Sequence, residues 1–409
     1  MITSADWQTA ALQRWLEDEA LPFWAQVGPD WERGGYVEDL TLTGADAARP
    51  FKRTRVTCRQ MYVFAHATAL GWGDYSREIA HGAAYLTEQC WQGPERGFAR
   101  LTTRDGAVHD PTTDLYDHAF ALFASAWAFR ATGDSSYRFW AARSLETIER
   151  LLDDPHGPGY LHVLPAPDQR LQNPHMHLFE ACLAAHGAIG APVYRAVGMR
   201  LWQLLTAHVI DPKTGILGEV FDAQWRPAAG QAGTVVEPGH HYEWAWILQR
   251  AEAQWGLPTA GTVRSLIAFA EAHGFDGATG QVRNGVTRSG AVIDGASRTW
   301  PNTERLKAAV ALHALGEKSR SERMIGESAR VLLQSYLTPC DSHPVPLGAW
   351  IDVRDARGQP AAQHIPASTF YHLFMAIAEV LRVRPVAPVT WQPDRNVRAH
   401  TMAEPVLHP

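Results

Sequence analysis

A spacing of roughly 60 residues between the starts of alternate helical segments is the strongest constraint on how this chain can fold. Apolar residues recurring at i, i+3, i+4 and i+7 mark twelve helical segments, at 4–25, 57–72, 74–91, 114–132, 134–152, 174–189, 191–209, 240–256, 258–273, 300–316, 319–335 and 366–383. The stripe of the sixth is Leu178, Cys182, Ala185 and Ile189, and that of the twelfth is Phe370, Phe374, Ile377 and Leu381. Asn173-Pro174 reads as a helix cap followed by proline at the first helical position. Gly73-Asp74 and Gly133-Asp134 read as tight turns, with glycine ending one helix and aspartate capping the next.

The links alternate in character. Those from odd to even segments are long and partly strand-like, as at 34–38, 159–163, 215–220 and 348–353, whereas even-to-odd links are short. One helical hairpin cannot bury its apolar face alone, but six closing on themselves can. The expected architecture is therefore all-α: an (α/α)6 barrel of twelve helices, six inner and six outer, with short β-hairpin-like connections and a funnel at one end. The whole chain, 1–409, reads as a single barrel domain. Pro385 stops the last helix, and an irregular tail begins there.

Composition narrows the partners. With a formal net charge of -6 and no run of basic residues, the chain lacks the concentrated Lys/Arg face that nucleic acid requires. No stretch of about 18 apolar residues is present to span a membrane. Met1–Trp7 lacks the charged start and apolar core of a leader. Cys58, Cys90, Cys182 and Cys340 are scattered and form no CxxC pair, which fits packing residues in a reducing, cytoplasmic setting. The 16 tryptophans offer flat faces of the kind that carbohydrate rings stack on. A homodimer is compatible with all of this.

Polar residues that are hard to place on a surface gather at the starts of the even segments: Arg55; Asp114, Tyr116, Asp117 and His118; Asn173, His175 and His177; His240, His241 and Glu243; Trp300 and Glu304; and Tyr371 and His372. In a ring of parallel inner helices these ends share one cavity mouth, so six distant positions would converge on one pocket. His175 and His177 point about 200° apart on a helix, so only one faces the cavity, and His177 is the choice. His240 and Glu243, three apart, share a face, and a carboxylate there can orient an imidazole and stabilise its protonated form. Glu304 reads equally as a capping-box acid and as a substrate contact. The histidine cluster matches no compact metal motif such as HExxH, and no Gly-rich phosphate loop follows a strand, so neither a metal nor a nucleotide cofactor is expected.

These residues resemble the N-acylglucosamine 2-epimerase family over nearly the whole chain. The most specific segments are Arg55-Val56-Thr57-Cys58-Arg59-Gln60, Asn173-Pro174-His175-Met176-His177, Pro238-Gly239-His240-His241-Tyr242-Glu243-Trp244, Trp300-Pro301-Asn302-Thr303-Glu304 and Phe370-Tyr371-His372. The resemblance implies the (α/α)6 barrel, with His240 and His372 as the two acid/base groups and Arg55, Asn173, His177 and Glu243 holding and polarising a sugar. Tyr116, Trp300 and Glu304 complete the expected binding set. Pro366–His372 looks closest to the bacterial D-mannose isomerase branch. Ala367 and Ser368 stand where disaccharide epimerases carry a stacking tryptophan, which implies a free monosaccharide.

The implied chemistry is cofactor-free. His372 would abstract the C2 proton, His240 backed by Glu243 would open the ring, and Arg55 and His177 would stand by the carbonyl oxygen. Protonation of the enediol at C1 gives a ketose, and at C2 from the other face an epimer. Two further readings follow from the same residues: a glycoside hydrolase using carboxylates drawn from Asp114, Glu243 and Glu304, and a non-catalytic sugar-binding protein.

Overall fold

A computed structural model describes residues 4–385. Among the described residues there are twelve helices, in chain order α1 (4–27), α2 (Thr54–Leu70), α3 (76–90), α4 (Leu115–Thr132), α5 (Ser135–Leu151), α6 (Gln172–Ile189), α7 (192–209), α8 (Pro238–Trp255), α9 (260–274), α10 (Thr299–Ala314), α11 (318–336) and α12 (Phe370–Val383). Helix α1 carries a π-helical stretch at Trp15–Ala20, and α3, α7, α9 and α11 each end on a π-helical turn. The irregular tail expected after Pro385 lies outside the described residues.

The even helices pack in sequence, α2 on α4, α4 on α6, α6 on α8, α8 on α10, α10 on α12 and α12 back on α2, which closes the inner ring. Packed on both sides, the inner helices are buried nearly all round, as in α10, where Pro301–Leu312 is buried without a break. The fold is the expected all-α (α/α)6 barrel. Four inner helices, α2, α4, α6 and α8, end on a left-handed glycine: Gly71, Gly133, Gly190 and Gly256. The first tight turn thus has Gly71 as its cap, not Gly73, and the next helix is preceded by Tyr75, not Asp74, although Asp74 still accepts from the Ser76 amide at 3.0 Å from one residue further back. Among the described residues no helix is long and apolar enough to cross a membrane.

The expected hairpins within one link occur at Leu101–Thr103 with Val108–Asp110, Phe275–Asp276 with Gln281–Val282 and Gly285–Thr287 with Val292–Asp294, and a second kind of pairing joins successive links. A short strand precedes each inner helix and pairs with the link of the next repeat. Phe51–Arg53 pairs with Leu101–Thr103, Thr113–Asp114 with Val163–Leu164, Arg170–Leu171 with Val220–Phe221, and Val235–Val236 with Gly285–Thr287. Ser297–Arg298 pairs with Val353–Arg354, and Ile365–Pro366 returns to Asp39–Leu40. Periodicity cannot choose between pairing inside a link and pairing across repeats. The ring geometry adds the cross-repeat pairs, because adjacent links run side by side around the mouth.

Candidate active site

The N-terminal ends of the inner helices line a cavity of about 520 Å³ within this strand collar. First-turn residues reach its rim, and residues one turn deeper form its floor. His240 (α8), Trp300 (α10) and His372 (α12) form one wall, with the indole lying 5.2 Å from the His240 ring and 5.6 Å from the His372 ring, centre to centre. Arg59, Tyr116, Asn173, His177 and Glu243 also line the cavity.

Not every polar residue at these helix starts faces inward. His118 Nε2 accepts the Phe98 amide at 3.0 Å, His175 Nε2 the Tyr160 amide at 3.0 Å, and His241 Nε2 the Leu217 amide at 3.2 Å. In α10 the Asn302 side chain does the same for the Val282 amide at 3.0 Å. These residues fasten the inner helices to the preceding links, and burial keeps the three imidazoles neutral by pushing them below the ordinary histidine value. Asn173 does not cap α6: Leu171 precedes the helix, and the Asn173 Oδ1 is buried with no partner among the described residues. That leaves an acceptor for a ligand hydroxyl.

Arg55 lies off the cavity, its guanidinium held by Asp117 Oδ1 at 2.8 Å and Asp114 Oδ2 at 3.3 Å. Arg59, one turn deeper on the same face, lines the cavity instead. It donates to the Tyr116 hydroxyl at 2.6 Å and to the Ser368 carbonyl at 3.4 Å, and its Nε has no partner among the described residues. Helical spacing places Arg55 and Arg59 together but does not say which turn reaches the pocket.

The two wall histidines each rest on a carboxylate, and neither carboxylate is Glu243. His240 Nδ1 lies 2.9 Å from Glu219 Oε2, a residue of the link before α8. Glu219 also accepts from Gln172 Nε2 at 2.8 Å and from the Glu237 amide at 3.1 Å. His372 Nδ1 lies 2.8 Å from Glu304 Oε1. Glu304 is fully buried and is absent from the cavity lining, so it neither caps α10 nor contacts the cavity; its second oxygen pairs with Lys307 Nζ at 2.7 Å. Glu243 faces the cavity with Oε1 free of any partner among the described residues.

The two imidazoles consequently sit in opposite charge states. Burial opposes protonation of both. At His240 the carboxylates of Glu219, Glu237 and Glu243 overcome it and carry the group up to about 10. At His372 burial is joined by the positive fields of Arg59, Lys307, His177 and His240, which hold it well below the usual histidine value. With each Nδ1 engaged, Nε2 is the ring nitrogen left to the cavity. One ring presents an acid there and the other a base.

Glu243, Glu304 and His372 bring ligand atoms within 4.8 Å of one another, as do His177, Glu180 and Glu243. A cation is already built into this group. Lys307 is fully buried, and Glu304, Glu243 and Glu180 all raise its affinity for a proton. Sequence reasoning missed Lys307 and Glu219. Lys307 carried a usable signal, a charge three residues after Glu304 within the apolar run Leu306-Lys307-Ala308-Ala309-Val310. Glu219 carried none.

The family model described as N-acylglucosamine 2-epimerase (GlcNAc 2-epimerase) matches residues 34–376. A protein of Rhizobium meliloti (strain 1021) named mannose-6-phosphate isomerase is 35% identical over 381 residues, covering 91% of this chain and 96% of that protein. A D-mannose isomerase of Thermobifida fusca is 27% identical over 336 residues, covering 77% and 81%. The solved structure of cellobiose 2-epimerase from Bacillus thermoamylovorans B4167 superposes with a TM-score of 0.81 at 19% identity, over 92% of this chain and 99% of that one, and shares its fold. A match this long, over a barrel whose mouth is lined by His240, Trp300 and His372, places the chain in the N-acylglucosamine 2-epimerase family, as an enzyme of the sugar isomerase and 2-epimerase class.

Proposed function

We propose that the chain is an aldose–ketose isomerase that interconverts free D-mannose and D-fructose through a cis-enediol. The observation that carries this reading is the pair of imidazoles on one cavity wall, one held charged and one neutral, each with Nδ1 on a carboxylate. In this reading the His240 imidazolium donates a proton to the ring oxygen as the C1–O5 bond breaks, and the neutral ring then takes the proton of the anomeric hydroxyl. His372 Nε2 removes the C2 proton, and the electron pair moves through C1 to the carbonyl oxygen. Arg59 and His177, with the inner-helix N-termini, stabilise the developing negative charge there. The C2 hydroxyl proton passes to O1, His372 returns its proton to C1, the C2 oxygen becomes the carbonyl, and the product is a ketose. Glu243 Oε1 and Asn173 Oδ1 supply acceptors for sugar hydroxyls.

A free sugar is favoured over the phosphate ester in the name of the Rhizobium relative. The rim arginines are already matched: Arg49 pairs with Asp39, Arg53 with Glu38 and Arg298 with Glu237. A phosphate dianion would have to compete with those carboxylates. The discriminating experiment follows D-mannose and D-mannose 6-phosphate by NMR under identical conditions. The expected kcat/KM for free mannose exceeds that for the ester by at least about tenfold, a difference of roughly 1.4 kcal/mol in transition-state binding. Preference for the ester contradicts the reading. A 2-epimerase is the second reading, supported by His240, an acid positioned to reprotonate C2 from the other side.

A further inference from the structure

The carboxylates behind the two imidazoles differ in one respect. Glu219 is satisfied by a side-chain amide, a backbone amide and the His240 imidazolium, with no further cationic side chain paired to it among the described residues. Glu304 meets His372 through one oxygen, and its other oxygen is ion-paired with a separate ammonium, Lys307 Nζ, at 2.7 Å. Lysine is almost never fully buried unless paired. Lys307 lies three residues after Glu304 on α10, enclosed by Trp246, whose ring centre is 4.3 Å from Nζ, and by Met375, whose sulfur is 3.4 Å away. Burial pushes the Glu304 carboxyl well above the ordinary carboxylate value, and the Lys307 ammonium is the foremost group opposing that rise; without it Glu304 would be an uncompensated carboxylate in a dry site, and such a group binds a proton or forces one onto its neighbour.

We propose that Lys307 is a positioning residue that keeps Nε2 of His372 bare: it neutralises Glu304, so this carboxylate can orient the imidazole through Nδ1 without drawing a second proton onto the pair. The proposal rests on the reading of His372 as the base. An extra proton could reside on the imidazole, or on Glu304 as a hydroxyl donating to Nδ1, and in either arrangement Nε2 carries hydrogen and cannot accept the C2 proton. The ionic groups facing His372 come from every inner helix packed around it: Arg59 on α2, His177 and Glu180 on α6, His240 and Glu243 on α8, and Glu304 and Lys307 on α10. Of these cations, Lys307 is the one joined directly to the carboxylate that His372 touches.

The test is an NMR titration of the His372 ring nitrogens in the full-length protein without substrate, for wild type, K307M, E304Q and the double variant E304Q/K307M. Local charge falls by one in K307M, rises by one in E304Q, and is restored in the double variant. The midpoint for protonating Nε2 is therefore expected in the order E304Q, then wild type and the double variant together, then K307M. The K307M midpoint should lie at least about one pH unit above wild type, the usual effect of an uncompensated carboxylate within 4–6 Å. The acid limb of kcat/KM should move up by the same amount in K307M. If K307M does not fold, E304Q and E304Q/K307M, which bury no unpaired carboxylate, still give a decisive pair, with the double variant titrating higher. Midpoints that coincide across the variants overturn the role of Lys307. The expected order combined with no turnover of any sugar by wild type would overturn the functional reading and leave the charge arrangement standing.

Discussion

Replacing His372 with asparagine lowers turnover by roughly 10²–10⁴-fold and stops exchange of the sugar C2 hydrogen with solvent, because a positioned base typically contributes that much. Asparagine keeps a donor for Glu304 but has no basic nitrogen to present to the cavity. His372 is third in α12 and touches Trp300 and Tyr371. The α12 stripe of Phe370, Phe374, Ile377 and Leu381 is untouched, so helix content and the cooperativity of melting should match wild type. Single-turnover exchange in D2O and far-UV circular dichroism on the same preparation check both halves. Retention of more than about a hundredth of the wild-type rate would show that His372 is not the base.

The second large effect belongs to Glu219, a link residue that no motif or spacing marks out. In Glu219→Gln the side chain still accepts from His240 Nδ1, but the charge that holds His240 protonated is gone. His240 should fall from about 10 by roughly one to three pH units, with Glu237 and Glu243 still supporting it. The alkaline limb of kcat/KM moves down by the same amount, so activity at pH 9 drops by about 2-fold for a one-unit fall and by about 90-fold for a three-unit fall, while activity at pH 6 changes far less. Stability shifts with it. A histidine raised on folding stabilises the native state fully below its unfolded value near 6.5, and this contribution is lost as pH rises through the folded value. Wild type should therefore lose this contribution gradually from pH 6.5 up to about 10, and the variant should lose it earlier. Melting temperatures across pH 6–10 measure the difference, and an unshifted alkaline limb would mean that another group holds His240 charged.

The barrel was legible because a repeat of helical hairpins has few ways to close, and the inner helices announce themselves by their apolar runs. The wall was legible too, since His240, Trp300 and His372 stand at equivalent places in successive inner helices. What sequence could not resolve was rotation and partnership. His118, His175 and His241 occupy the same helix starts but turn outward to bind link amides. Glu243, on the face of His240, gives way as its partner to Glu219 from the preceding link. Glu304 meets a histidine 68 residues away, a contact made where α10 packs on α12. Helical spacing fixes neighbours within one helix. The acid/base pairs here are made between an inner helix and a link, or between two inner helices.

Whether the enediol collapses at C1 is decided by isotopic labelling of one reaction. Wild type is incubated with D-mannose in D2O, and the early products are read by ¹H and ¹³C NMR. Fructose is expected as the main product with some deuterium at C1, since an imidazolium at the cavity wall exchanges with solvent before it returns the proton. Glucose carrying deuterium at C2, with little ketose, would contradict it and assign the second proton transfer to His240 as a 2-epimerase.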